Sequence, residues 1–140
     1  MFKFRGQAVG GKWVVGWYFE VNNPQMFDKH RMALDGADIT GFKWVNVNPQ
    51  SLSISTGKLD STGTEIFASF EVNGKMTTGG DVVEWSDEVA TYSDKYNVVY
   101  GVGSSAFVLK NTKQPARGMA LSFVPSGALT IIGKQGVGNE

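Results

Sequence analysis

The stretch "KFRGQAVGGKWVVGWYFE", residues 3–20, decides the fold class. Phe2 and Phe4 alternate with Lys3 and Arg5, a period of two that belongs to a β-strand on an edge or half-exposed position. Gly10-Gly11 is a hairpin turn signal. Beyond it, Trp13, Val15, Trp17 and Phe19 fall on one face and Val14, Gly16, Tyr18 and Glu20 on the other. Both faces are largely apolar, so this second strand is expected to be central or covered on both sides. Its tryptophans are expected to pack in the core. The alternative is an exposed ring available for stacking.

The same pattern continues along the chain. "ITGFKWVNVNP" and "SLSIST" read as strands. "IFASFEVNGKMTT" reads as a hairpin, because Asn73-Gly74 sits between two alternating runs and tolerates two successive positive φ angles. "DVVEW", "NVVYGVGSSAFVLK", "GMALSFV" and "ALTIIG" supply further strands, with a turn at Pro125-Ser126-Gly127. Two segments could be helical. Residues 22–36 carry Pro24, a loose apolar stripe and a terminal Gly36, and 86–96 could form an acidic turn capped by Ser86. The tail from Lys134 reads as mobile. Without βαβ alternation a parallel sheet is not expected. The expected fold is therefore all-β and mainly antiparallel, a partly open barrel or small sandwich with one or two short helices.

The 140 residues fit one domain, 1–140. There are no cysteines, which excludes disulfides and thiolate metal sites. No apolar run approaches the length of a membrane span and no secretory signal is recognisable, so a cytoplasmic protein without a membrane partner is expected. The chain has 13 basic and 13 acidic residues, a net charge of 0. Their distribution is segmented. Residues 1–58 hold seven basic and four acidic groups (+3), 59–100 two and eight (−6), and 101–140 four and one (+3). Such segments can be matched within the fold or between copies in a homo-oligomer.

Little in the sequence points to catalysis. The single histidine, His30, lies between Lys29 and Arg31 and lacks the companions of a triad or metal site. "GVGSSA", 101–106, matches a dinucleotide pattern, but "FVLK" follows where a helix would have to begin. The carboxylates Asp60, Glu65, Asp81, Glu84, Asp87 and Glu88 show no spacing that selects an acid–base pair. No catalytic, metal or cofactor residues are assigned, and a non-enzymatic protein is expected. The one candidate surface is basic and aromatic: Lys3, Arg5, Lys12 and Trp17, a combination that can hold single-stranded nucleic acid by phosphate contacts and base stacking. Zero net charge works against it, since counterion release drives much of such binding.

Three blocks resemble the YopX family of phage and prophage proteins. Lys3-Phe4-Arg5-Gly6 followed by Trp13-Val14-Val15-Gly16 resembles the family's opening. "TGKLDSTGTEIF", with Thr56, Gly57, Asp60, Gly63, Glu65 and Ile66, followed by "GDVVEW" from Gly80, resembles its central signature, and "NVVYGVGSSAFVL" resembles the strand pair after that motif, with "ALTIIGKQGVGNE" a weaker echo of the family's closing strand. Here Ala68 to Gly79 separate two elements that are nearly adjacent in the family, which an inserted hairpin at about 68–79 explains. The resemblance implies a mostly β phage or prophage protein in the cytoplasm of a bacterial host, without established activity and with no catalytic residues to carry over. Its G-D-V-V element resembles the entry to an SH3-like barrel. Physically, Asp60 is expected to cap backbone N–H groups and Gly63 to take a left-handed angle. The functional expectation is a binding or assembly module with a host or phage protein as partner. The alternative is a nucleic-acid-associated phage factor.

Overall fold

The computed structural model describes residues 3–8, 10–20, 30–34, 44–86, 93–101, 106–116, 118–125 and 127–136. Its first hairpin is the one the glycines announce. β1 (Phe4–Gln7) and β2 (Trp13–Glu20) pair antiparallel, with Gln7 opposite Trp13 across the Gly10-Gly11 turn. β3 (His30–Leu34) and β4 (Trp44–Asn46) extend the sheet on one side. On the other side lie β5 (Ser53–Leu59) and β6 (Glu65–Ala68), giving the order β4-β3-β2-β1-β5-β6. β1 is thus an interior strand rather than an edge. The long apolar β2 needs a neighbour on both sides, and β1 gains its second one in β5.

The second sheet has five strands. They are β9 (Asp81–Ser86), β10 (Ser93–Gly101), β11 (Ala106–Asn111), β12 (Gly118–Ala120) and β13 (Leu129–Lys134), in the order β12-β11-β10-β9-β13. Between the sheets in sequence stands a small hairpin, β7 (Glu71–Val72) and β8 (Lys75–Met76). Its turn has φ of 51° at Asn73 and 79° at Gly74, both in the left-handed region that this dipeptide tolerates. The hairpin leaves and returns at one point, where the Gly80 N–H donates to the Ser69 hydroxyl at 2.9 Å.

The molecule is all-β and antiparallel, with the two larger sheets open rather than closed into a barrel. β9, which carries the G-D-V-V element, is an interior strand of an open sheet. No α-helix occurs among the described residues; the short helices are 3-10 turns at Pro49–Ser51 and Leu121–Phe123. Of the segment expected to be helical at 22–36, residues 30–34 form β3, where Met32 is fully buried against the first sheet. Tertiary pairing with β2 overrides a weak helical stripe. Residues 22–29 and 35–36 lie outside the described residues. Of 86–96, Ser86 ends β9 and Ser93–Tyr96 begin β10; 87–92 lie outside the described residues. Among the described residues no helix is long and apolar enough to cross a membrane.

Two apolar clusters hold the sheets. One gathers Ile66 and Ala68 of β6 with Val83, Val98, Leu109 and Leu129 of the second sheet. The other gathers Met32, Val47 and Leu52, with Phe4, Tyr18 and Phe70 against them. The Phe4 ring lies 5.8 Å from Tyr18 and 5.5 Å from Phe70, within aromatic pairing range. The sheets meet at the end of β6. There the Ser69 N–H donates to the Val98 carbonyl at 2.9 Å and the Tyr100 N–H to the Ser69 carbonyl at 2.7 Å.

That seam leaves no room for a side chain at Gly80, where a Cβ would stand 2.3 Å from the Ser69 nitrogen. We expect Gly80→Ala to cost about 2 kcal/mol or more, because the clash is with backbone. Gly74→Ala, which meets nothing within 4 Å, is expected to cost only about 1 kcal/mol of turn strain. Chemical denaturation of the two variants measures the difference.

Candidate binding face and the polar cluster behind it

Opposed residues in an antiparallel pair share a face. Phe4, Val14 and Tyr18 point into the second core. Arg5, Trp13, Val15 and Trp17 therefore occupy the other face of β1–β2. The registers Arg5↔Val15 and Gln7↔Trp13 agree. Two of these residues are open to solvent, Trp17 at 43% and Val15 at 37% exposure. The strand is central in its sheet, yet its outer face is open to solvent at Val15 and Trp17. Trp17 takes the exposed-ring alternative rather than core packing.

Arg5 does not point to solvent. Its Nη2 donates to Asp81 Oδ1 and to the Gly79 carbonyl, both at 2.8 Å. The side chains are 13% and 1% exposed, so this is a nearly buried ion pair. The guanidinium also lies 4.6 Å from the Phe67 ring centre and 5.7 Å from that of Trp13, within cation–π range. The second Asp81 oxygen accepts the Phe67 N–H at 2.8 Å. Behind the pair, Gln135 Nε2 donates to the carbonyls of Asp81 (3.0 Å) and Val98 (2.8 Å), and its Oε1 accepts the Ser69 hydroxyl at 2.9 Å. Gln135, in the tail expected to be mobile, is tied into the seam, and 137–140 lie outside the described residues.

The remaining sequence-selected residues fare differently. Lys3 reaches Glu65 at 3.4 Å in a partly exposed pair, and Glu65 also accepts the Ser55 hydroxyl. Lys12 is exposed at the end of the first hairpin. Lys134, expected to begin a mobile tail, instead ends β13 and brings its Nζ to 5.0 Å from the Trp13 ring centre. Its signal was the last position of a strand that returns beside β9, visible only once β13 is known to pair there. The face therefore consists of Trp17 and Val15 in the open, Trp13 beside Lys134, and Lys12 at the rim. Arg5 is withdrawn from it because its charge is matched by Asp81.

Asp60 behaves as a cap. Oδ1 accepts the Thr62 and Thr64 N–H groups, each at 2.9 Å, and the Thr62 hydroxyl at 2.7 Å; Oδ2 accepts the Ile131 N–H at 3.1 Å. Gly63 has φ of 87°. Burial acts to raise the Asp60 pKa. The Thr62 hydroxyl and the N–H groups of Ile131, Thr64 and Thr62 outweigh it, lowering the value from 3.8 to about 2. Among the described residues no group of three His, Asp or Glu side chains could hold a metal ion. Gly101 and Ala106 pair across β10–β11, so a strand stands where a dinucleotide site would need a helix.

In comparisons with protein-family models, curated proteins and solved structures, nothing matches the chain. Within the molecule, Asp81 joins Arg5 of the opening hairpin to the Phe67 N–H of β6.

Two outcomes follow from this geometry. Asp81→Asn is expected to destabilise by about 3–5 kcal/mol, because it leaves the Arg5 charge uncompensated in a nearly dry site. Urea denaturation of D81N, Arg5→Met and the double variant should show strong non-additivity. The depressed Asp60 pKa contributes stability that is complete above about pH 4 and is lost as pH falls toward 2. The penalty of Asp60→Asn is therefore expected to be about 1–3 kcal/mol at neutral pH and to shrink across that acid window.

Proposed function

We propose that the chain is a non-enzymatic binding module that takes single-stranded nucleic acid on the outer face of β1–β2. The observation that carries the reading is the Trp17 ring, 43% exposed on a paired, well-anchored strand. A bulky indole held open to solvent by a rigid sheet offers a stacking platform at low entropic cost. Lys134 brings its Nζ to 5.0 Å from the Trp13 ring centre, the exposed Lys12 directly precedes Trp13 in the chain, and among the described residues neither is within ion-pair distance of a carboxylate. In this reading the two ammonium groups meet phosphates while Trp17 and Val15 meet bases. In the cytoplasm of a bacterial host such a module would serve a phage or prophage, as the likeness to the YopX family implies.

The fluorescence of the intact chain, titrated with single-stranded and duplex oligonucleotides at low and high salt, tests this. Saturable quenching by single strands that weakens with salt is expected. Trp17→Ala should cost about 1–3 kcal/mol of binding free energy, and Lys12→Glu with Lys134→Glu should remove much of the salt dependence. No binding at low salt would defeat the reading. Light scattering that shows self-association abolished by Trp17→Ala would assign the face to assembly of copies instead.

A further inference from the structure

A separate cleft shares no lining residue with the β1–β2 face. This cleft of about 300 Å³ opens between Thr56 and Lys58 of β5 and Ala106, Phe107, Leu121 and Ser122 of the second sheet and its 3-10 turn. That volume is at the lower end of small-molecule sites. Its walls are mainly apolar. The Thr56 hydroxyl is committed, donating to the Ile66 carbonyl at 2.8 Å and accepting the Lys58 N–H at 3.1 Å.

Lys58 is the unusual member. The β5–β6 register shifts between Ser55 and Leu59, so Lys58 sits in an irregular stretch of its strand, and such irregularities commonly re-aim a side chain. Its ammonium donates to the carbonyls of Leu121 at 2.9 Å and Val124 at 2.6 Å. These two acceptors fix the group but are formally neutral. Among the described residues no carboxylate lies within ion-pair distance of it. Among the described residues the Lys58 charge is thus unmatched, half-buried at the wall of an apolar cleft. An ammonium has three donors, and two are accounted for. Charge held in such a place favours an anion that brings its own apolar body.

We infer that this cleft binds a small amphiphilic carboxylate, its head on Lys58 and its alkyl or aryl body against Phe107 and Leu121. Octanoate and 4-phenylbutyrate are suitable probes, with octanamide and 4-phenylbutyramide as uncharged counterparts of the same shape. Ligand-observed NMR and thermal stability of the full chain provide the readouts. Saturable binding of both acids is expected, with the amides about tenfold weaker or worse. Lys58→Met should abolish the preference for acid over amide. Because that change also frees two carbonyls and could loosen the turn, Ala106→Leu supplies a second variant. It narrows the cleft without touching the Lys58 contacts and should weaken both acids. Equal binding of acids and amides, absence of saturation, or binding unchanged by Ala106→Leu would overturn the inference. So would a dimer dissociated by Phe123→Ser, since Phe123 is 80% exposed beside the cleft and a second copy would then be its occupant.

Discussion

A single ion pair sets how the two sheets stand to one another. Arg5 is on β1, the third strand counted from the β6 end of the first sheet, and Asp81 opens the second sheet, 76 positions later. Desolvating two charges is costly, and their mutual attraction offsets that cost only when geometry is good and remaining donors and acceptors are filled. Asp81 meets the condition: each oxygen accepts a bond, one from a guanidinium and one from a backbone N–H. Arg5 meets it except at Nε, which is buried without a hydrogen-bond partner. The rings of Phe67 and Trp13 lie close to the guanidinium and supply a softer form of stabilisation there. An apolar replacement could contribute as much stability but would not demand one relative placement of β1, β6 and β9.

The rest of the seam repeats this logic with smaller groups. The Asp60 turn closes the β5–β6 hairpin and also covers the outer edge of β13, where the Ser61 N–H donates to the Leu129 carbonyl at 2.7 Å and Asp60 accepts the Ile131 N–H. An uncovered edge of that kind would invite pairing with another chain. Lys58 ties the same hairpin to the 3-10 turn at Leu121–Phe123. Charged side chains of the first sheet or its turns thus satisfy backbone groups of the second at two further points. Burial of Ile66 and Ala68 provides the non-directional attraction, and the polar groups select its geometry.

The local features were legible in the sequence. Gly10-Gly11 and Asn73-Gly74 mark turns because few other residues accept their φ angles, and Asp60 with Gly63 announces a capped turn for the same kind of reason. What period two cannot reveal is whether the second face of a strand is covered. Arg5 alternates with Phe4 just as a solvated cation would, and only the arrival of Asp81 from another sheet makes it a buried one. Trp13 and Trp17 share a face by periodicity, yet one is flanked by Arg5 and Lys134 and the other is open. Residues 30–34 show the converse limit. Nothing in "HRMAL" excludes a helix, and the strand follows from the need of β2 for a partner. Lys134 and Gln135 gain their places through non-local pairing, which composition and spacing do not encode.

The ion pair also shapes the candidate surface. By neutralising Arg5 it removes the best phosphate-binding group from the β1–β2 face, since guanidinium offers the bidentate geometry that an ammonium lacks. Lys12 and Lys134 remain as flexible point charges, while Trp17 and Val15 are fixed by the sheet. Recognition on such a face would rest more on stacking and apolar contact than on counterion release, which is consistent with a chain whose net charge is 0. The same residue therefore serves architecture at the expense of electrostatic attraction. Arg5 ties β1 to the second sheet while β1 pairs along β2, so the strand that carries the exposed Trp17 is held through its neighbour and the indole itself is left free of that network.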